Sequence, residues 1–349
     1  MLATSTYVSF RFKLTLMHAG RKYTFLEFII WTRRDIYNLL ILSIIPTVLY
    51  HVAGFTFLAL TWVPIALLGT AVAFIVGFKN NASYNRLWEA RQIYGGIINN
   101  SRAFGVMVRD FLPAGQAEEV RPLFYRHFAW LTALRFQLRE PRTWENVDQA
   151  NNREYQRVYI IPERESTLAQ ELLPYLSEEE YNYVLTKKNR ATQLMALQSK
   201  HINALGSVLN DFQLMQLQTA ITQFYDLQGR VERIKNFPYP RNFSSVATIL
   251  LYLFVVLVPF GLLKEFNAMG QGTFLEGYTV WFNVPFATLL NWVFLSLDRV
   301  GESSANPFEG GANDVPITNI SRTIEIDMRD MLDEKDLPPP IVAIHNILM

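Results

Sequence analysis

An uncharged stretch of 42 residues, from Tyr37 to Phe78, constrains this chain more than any other feature. About 20 apolar residues carry a helix across a hydrocarbon layer about 30 Å thick, so the stretch is long enough for two crossings. Trp62-Val63-Pro64 divides it, because proline suits the first turn of a helix and holds the preceding residue extended. We therefore predict a helical hairpin, with helices near 36–57 and 64–80.

Two further uncharged stretches follow later in the chain. Phe243–Leu263 and Gly277–Leu297 are each 21 residues long and each lies between charged residues. Half of the 349 residues are hydrophobic and 18% are charged, below the quarter or so typical of soluble domains. The N-terminus lacks the short apolar core of a signal peptide, so we expect all four segments to stay in the mature protein. The predicted fold class is all-α, a multi-pass membrane protein with four transmembrane helices and a cytosolic helical domain.

Basic residues near the ends of the four segments predict their orientation. Lysine and arginine are held on the cytoplasmic side of a membrane. The connectors 58–63 and 264–276 carry a single lysine, whereas the opposite ends carry Arg33, Arg34, Lys79, Arg86, Arg91, Arg233, Lys235, Arg241 and Arg299. Both termini are therefore predicted to be cytoplasmic. The predicted organisation is a cytoplasmic segment 1–35, helices 1 and 2 in 36–80, a cytosolic domain 81–242, helices 3 and 4 in 243–297 and a tail 298–349.

The region between the two pairs has the pattern of a folded helical domain. Apolar residues recur at helical spacing through 123–138 and 191–225. Ser177 followed three residues later by Glu180 is typical of a helix N-terminus. We expect 139–165 to be a surface connection, and the alternating pattern within 1–24 favours a strand or hairpin.

Signatures of catalysis are absent from the sequence. There is no cysteine, and the five histidines are scattered without metal-ligand spacing. Phosphate-binding glycine loops are also missing. The net charge is +1, which gives no field for nucleic acid. We therefore predict no enzyme activity, no metal, no cofactor and no nucleic-acid partner.

The second helix carries a pattern that favours a pore. Thr70, Phe74 and Phe78 lie four residues apart and so share one helical face, with Leu67 near the same line. Several copies of that face around an axis would form an apolar constriction that conducts only when wetted. The alternative is that these side chains face lipid or neighbouring helices, as in any membrane helix.

The segment after this helix, from Phe78 to Arg91, is rich in amides, hydroxyls and charges. It could form an ion vestibule. The alternative is a solvated helix continuation on which Glu89 pairs with Arg86 and Arg91 at the surface.

Three stretches of the sequence resemble the bestrophin family, in particular its bacterial branch. They are GTAVAFIVGFKNNASY at 69–84, ERIKNFPYP at 232–240, and NPF at 306–308 followed by NDVP at 313–316. The resemblance covers about residues 25 to 320. It implies a homopentameric channel in a bacterial inner membrane, with membrane lipid, other copies of the chain and small monovalent ions as partners.

The resemblance also implies roles for individual residues. Thr70, Phe74 and Phe78 would form the neck of the pore. Phe212 would form a second, cytosolic constriction. These assignments follow the family pattern by position. We also predict that Leu67, from its place near the same helical line, and Lys79, as a wall charge, line the pore near this neck.

This chain departs from the family pattern at two places. Animal members bind calcium through an acidic run after NPF, whereas 309–314 has only two acids, so we predict calcium-independent activity. Thr70 is polar where the neck is usually apolar, which should lower the barrier to wetting. Whether the channel passes anions or cations stays open, as do two alternatives: a membrane-anchored interaction scaffold and a secondary transporter.

Overall fold

The computed structural model describes residues 25–146, 152–153, 159–344 and 347–349. Helices dominate these residues, and they contain no β-strand beyond an isolated bridge between Ile344 and Ile347. The prediction of an all-α fold is therefore confirmed. The strand or hairpin predicted within 1–24, and part of the 139–165 connection, lie outside the described residues.

Eleven helices are described, and we number them in chain order. They are α1 Phe25–His51, α2 Trp62–Phe111, α3 Ala117–Arg139, α4 Pro162–Glu165, α5 Leu168–Leu172, α6 Glu178–Leu185, α7 Arg190–Ala204, α8 Asp211–Asn236, α9 Arg241–Met269, α10 Asn283–Glu302 and α11 Ile317–Asp330.

The observed membrane-type helices differ from the predicted ones mainly at their ends. The prediction that the second helix ends near residue 80 is wrong, because α2 continues without a break to Phe111. Its 50 residues span about 75 Å at 1.5 Å per residue. A polar side chain does not end a helix whose backbone bonds are satisfied internally, and 79–91 contains no glycine or proline. One rigid element therefore joins the apolar hairpin to the polar domain.

Three stretches of the described residues contain a helix long and apolar enough to cross a membrane: Thr56–Phe111, Asp211–Met269 and Thr279–Glu302. Helix α1 is not among them, although it packs in the same bundle. The Trp292 indole nitrogen on α10 donates to the Thr32 hydroxyl on α1 at 2.8 Å. The side chains of Thr288 and Ser43 also meet, at 3.3 Å.

Close backbone approach holds α2 against α9. A Cβ at Gly69 would lie 2.6 Å from the Phe254 ring, and one at Gly261 would lie 2.5 Å from Ile65. Small residues let membrane helices approach closely, since lipid supplies no hydrophobic force to drive them together. Glycine at these two positions therefore fixes the packing of the bundle.

Buried amides repair the backbone hydrogen bonds that a proline interrupts. Pro259 lies inside α9 and has no N–H to give to the carbonyl of Val255, four residues earlier. The Asn291 side chain donates to that carbonyl at 2.9 Å. Asn283 donates to the Pro259 carbonyl at 3.0 Å and to the Thr47 hydroxyl at 2.8 Å. The apolar bundle thus leaves few backbone groups unpaired.

A second apolar core lies in the polar domain, among α2, α3, α7, α8 and α11. Its largest fully buried side chains include Trp130, Tyr94, Phe104, Phe124, Phe128 and Phe224. Ser177 begins α6 as predicted, because its hydroxyl accepts from the Glu180 N–H at 3.3 Å. The Glu180 carboxylate accepts from Arg126 and does not bond back to the Ser177 N–H, as it would in a capping box.

His127 is the polar centre of this core. Its ring is fully buried, with ring centres 4.8 Å from Phe224 and 5.2 Å from Trp130. Nε2 lies 2.9 Å from the Ser101 hydroxyl, which donates to the Ile97 carbonyl, so Nε2 carries the hydrogen. Nδ1 has no partner among the described residues and is left as a bare acceptor. Burial lowers the pKa of His127 to about 3.

We expect acid to destabilise the protein through His127. Below about pH 6.5 the unfolded chain binds a proton at His127, whereas the folded chain binds this proton only near pH 3. Its contribution to stability is complete above pH 6.5 and falls by up to about 1.4 kcal/mol per pH unit below it. In His127→Phe, the thermal midpoint should vary less between pH 7 and pH 5 than in wild type. Equal pH dependence in both proteins would contradict this account.

Candidate functional site: the exposed face of α2

The predicted neck residues lie together on one uncovered face of α2. Leu67, Phe74 and Phe78 are 68%, 66% and 69% exposed, and Thr70 is exposed between them. The opposite face of the same helix is buried against the bundle through Ile65, Val72 and Val76. An exposed apolar stripe on a membrane-type helix meets either lipid or another protein surface.

A shallow groove of about 460 Å³ runs beside the two phenylalanines. Ala73, Phe74, Gly77, Phe78 and Asn81 line it. A Cβ at Gly77 would meet nothing within 4 Å, so the groove is open at its centre. Small residues beside large rings leave a groove on this face into which side chains of another copy could pack.

Thr70 presents less polarity than its sequence suggests. Its hydroxyl donates to the Ala66 carbonyl one turn earlier, at 3.1 Å. The oxygen's remaining lone pairs and the methyl group are left to face outward. Thr70 therefore offers an acceptor rather than a donor on the exposed face.

The structure does not place Lys79 with these residues. Lys79 is only 5% exposed, and its Nζ lies 2.7 Å from Asp298 and 3.5 Å from Glu302 on α10. One step along a helix turns a side chain by about 100°, which carries Lys79 away from the Phe78 face and into the subunit. The prediction that Lys79 lines the pore is corrected accordingly: it joins α2 to α10.

A belt of polar contacts surrounds this ion pair. Arg299 lies 3.0 Å from Glu302 and 3.5 Å from Asp35 on α1. The Asn80 amide donates to the Leu297 carbonyl at 2.8 Å. The positions directly after Phe78 are thus tied to α10, which Arg299 in turn ties to α1, and these contacts fix the height and rotation of the aromatic face.

Arg86 is a residue whose role the sequence analysis missed. Its guanidinium donates to the carbonyls of Phe237 at 2.7 Å, Ile234 at 2.8 Å and Ala305 at 3.0 Å. The predicted surface pair with Glu89 is wrong, since Glu89 binds Arg233 instead. Five N–H donors in a rigid plane suit a residue that must hold several carbonyls. Arg86 thus ties α2 to the 232–240 stretch and to the residue just before the NPF motif. Local sequence gave no signal of this role, because Glu89 lies three residues later on the same face and a surface pair looked sufficient.

Phe212 stands at the opposite end of the polar domain. It lies in the first turn of α8 and is 76% exposed. Asn210 begins this helix, accepting from the Gln213 N–H at 2.9 Å while the Gln213 side chain accepts from the Asn210 N–H. The cap fixes the start of the helix, and hence the position of the ring, which the described part of the chain leaves largely uncovered.

The two acids after the NPF motif are turned inward. Asp314 accepts from the N–H groups of Gly310 at 2.7 Å and Gly311 at 3.0 Å, and lies 3.5 Å from Arg139. Glu309 accepts from the Asn146 N–H at 2.8 Å and the Asn306 amide at 3.2 Å. Burial and the neighbouring Asp314 raise the pKa of Glu309 to about 8.

These contacts leave no calcium site at this place. Calcium needs six to eight oxygen ligands, and here two acids already serve N–H groups and a guanidinium. Among the described residues, no group of three or more His, Cys, Asp or Glu side chains could hold a metal ion. The residues present do not fit the calcium site of animal bestrophins.

Comparison with known proteins decides the family. A family model described as Bacterial/Fungal Bestrophin protein matches residues 34–330. The chain is a member of this bestrophin family. The three resembling stretches and the exposed face of α2 all lie within the matched range, so the sequence-based assignment is confirmed.

Curated relatives of this bestrophin are named as channels. The voltage-dependent anion channel-forming protein YneE of Salmonella typhi is 27% identical over 293 residues, which are 83% of this chain and 82% of that protein. A voltage-dependent anion channel-forming protein of Ralstonia nicotianae is 25% identical over 297 residues, 83% of each chain. A crystal structure of a bacterial bestrophin homolog from Klebsiella pneumoniae has a TM-score of 0.72 at 24% identity, covering 87% of this chain and 99% of that one. This last match shows the shared fold.

Proposed function

We propose that this bestrophin is a passive anion channel, formed by a ring of five copies with α2 of each copy at the central axis. The observation that carries the proposal is the uncovered aromatic face of α2, made by Leu67, Thr70, Phe74 and Phe78. None of the residues that the structure describes packs on these side chains, and a ring of them would close a pore by dewetting. The anion-channel names of the curated relatives support the ion's sign.

The membrane arrangement is part of the proposal. Four helices, α1, α2, α9 and α10, cross a bacterial inner membrane, and the polar domain with both termini lies on the cytoplasmic side. The hydrogen bonds between α1 and α10 support the inclusion of α1. The proposed domains are those predicted from sequence, namely 1–35, 36–80, 81–242, 243–297 and 298–349. Helix α2 passes from the second of these into the third.

The polar residues below the neck support anion passage. Asn81 and Asn85 are exposed on α2 after Phe78, and their amide N–H groups can donate to an anion. The nearest acid on the helix, Glu89, is held by Arg233. In this arrangement the vestibule ends at Phe212, whose rings form the second constriction on the same path.

Activity without calcium is a further part of the proposal. The turn after NPF has its two acids bound to backbone N–H groups, amides and Arg139, so no cation is needed to hold it. The proposed function is passive conduction, with no enzyme activity and no cofactor.

Planar-bilayer recording of the purified protein tests the proposed function. Under an asymmetric salt gradient with a calcium chelator on both sides, we expect single-channel currents whose reversal potential lies near that of the anion. A reversal potential near that of the cation would contradict the proposed selectivity. Currents that need added calcium would contradict the proposed independence. Silence under all conditions would favour the interaction scaffold, and saturable flux without unitary currents would favour a transporter.

A further inference from the structure

A cavity of about 350 Å³ lies below the membrane bundle and is not part of the proposed pore. It is formed where the start of α1, the middle of α2, the end of α10 and the turn after NPF come together. Its apolar lining includes Phe28, Trp31, Leu87 and Val300, and its polar lining includes Arg91 and Ser304. The volume falls within the range of small-ligand sites.

The upper end of this cavity lies near the cytoplasmic boundary of the proposed membrane, since Val300 in its lining comes three residues after Leu297, where the last uncharged stretch ends. Arg91 follows Phe78 by 13 residues, which is about 20 Å along the helix. Phe28 and Trp31 stand at the end of α1 where Arg33 and Arg34 also lie. Aromatic and basic residues together at a helix end are typical of a membrane interface.

Arg91 gives the cavity an uncommitted positive charge. It is exposed, and no carboxylate of the described residues forms an ion pair with it. The neighbouring arginines differ, because Arg86 is used by three carbonyls and Arg233 by Glu89. A guanidinium with five free donors suits phosphate, which it can bind through two parallel hydrogen bonds.

The one acid in the lining does not oppose this charge. Glu309 is 3% exposed, and its carboxyl is turned to the Asn146 N–H and the Asn306 amide. Burial and the neighbouring Asp314 also raise its pKa, which favours its neutral form. The cavity therefore combines a cationic rim with an apolar wall.

We propose that this cavity binds an anionic phospholipid of the cytoplasmic leaflet. The phosphate binds Arg91 and the Ser304 hydroxyl, and the first methylenes of the acyl chains lie against Phe28, Trp31 and Val300. The cavity is too small for a whole lipid, so the chains continue into the bilayer. The proposal rests on the membrane orientation given above, because that orientation puts the cavity at the level of the headgroups.

Native mass spectrometry of the purified protein in mild detergent tests the headgroup contact. With phosphatidylglycerol as the probe, we expect Arg91→Ala to weaken binding about tenfold, the size of one hydrogen bond to a charged group. Arg109→Ala is the matched control, an exposed arginine on the same helix about 27 Å further along. Equal binding by wild type and Arg91→Ala would overturn the proposal, as would equal binding of phosphatidylcholine and phosphatidylglycerol to wild type.

Cysteine labelling tests whether the lipid occupies the cavity itself. The chain has no cysteine, so Ala312→Cys places a single thiol in the lining and Ala114→Cys a control thiol on an exposed turn. We expect phosphatidylglycerol to slow maleimide labelling of Ala312→Cys and not of Ala114→Cys. If glycerol 3-phosphate alone protects the thiol, the ligand of the cavity is a free phosphate compound and not a lipid. No labelling of Ala312→Cys without lipid would mean that protein already covers the cavity, and would also overturn the proposal.

These measurements separate the lipid site from channel activity, because neither requires ion flux. Arg91-dependent lipid binding by a protein that is silent in bilayers would count against the proposed function and leave the site standing. Normal currents with lipid binding that ignores Arg91 would count against the site alone.

Discussion

Replacing Phe74 by alanine is expected to raise single-channel conductance severalfold. The Phe74 ring is 66% exposed on the face that the proposal places at the axis. Removing five rings from the neck widens it and lowers the free-energy barrier to wetting, which is the barrier that an apolar constriction imposes on ions. Phe78→Ala should act in the same direction, because Phe78 lies one turn below.

Phe286→Ala is the matched control for this effect. Phe286 on α10 is also a half-exposed ring of the bundle, at 53%, but it lies on a different helix and packs against Phe266 of α9. We expect its conductance to equal that of wild type. If Phe74→Ala conducts no better than Phe286→Ala, the exposed face of α2 does not limit the current.

Replacing Lys79 by methionine is expected to cost about 3–5 kcal/mol of unfolding free energy, because it leaves Asp298 buried without its partner. The two side chains are each 6% exposed and lie 2.7 Å apart. Denaturant unfolding in mild detergent measures the loss. Because α2 and α10 are joined at this point, the variant should also conduct with less uniform single-channel amplitudes.

Two controls separate a buried ion pair from a general effect of charge. Lys79→Met combined with Asp298→Leu should recover most of the stability, since an apolar pair of similar size can replace a buried ion pair. Arg102→Ala, which breaks an exposed pair with Asp327, should change stability little. If the double variant is as unstable as Lys79→Met, then Lys79 and Asp298 contribute to stability through interactions other than the one between them.

The sequence predicted the two helices of the uncharged stretch and the aromatic face of α2 because both depend on local patterns. Absence of charge over 42 residues and a four-residue aromatic spacing can be counted directly. The length of α2 was harder to predict, because the polar residues after Phe78 fitted both an ion vestibule and a solvated helix continuation. The structure shows a single helix whose surroundings change along its length.

The roles of Lys79 and Arg86 lay beyond local patterns. Lys79 meets Asp298 across 219 positions of sequence, and Arg86 meets Ala305 across the same separation. The spacing of residues along the chain does not predict such long-range contacts. From sequence alone, a charged residue next to a pore motif can face either the pore or the core. Their partners became visible only once the helices were packed.

The polar domain shows the same limit. Its helical pattern was evident, but the burial of His127 among Phe104, Trp130 and Phe224 was not, because the four side chains come from three different helices. Composition supplies the apolar residues, whereas the packing of α2, α3 and α8 decides which histidine they enclose.

Thiol modification during recording tests the central claim most directly. Thr70→Cys changes the side chain little and places a thiol on the proposed axis of a chain that has no other cysteine. Leu253→Cys, on the exposed face of α9, is the control. A charged methanethiosulfonate reagent should reduce the current of Thr70→Cys and leave that of Leu253→Cys unchanged. Persistent full current in Thr70→Cys, with mass spectrometry showing that its thiol has reacted, would contradict a conduction path along α2.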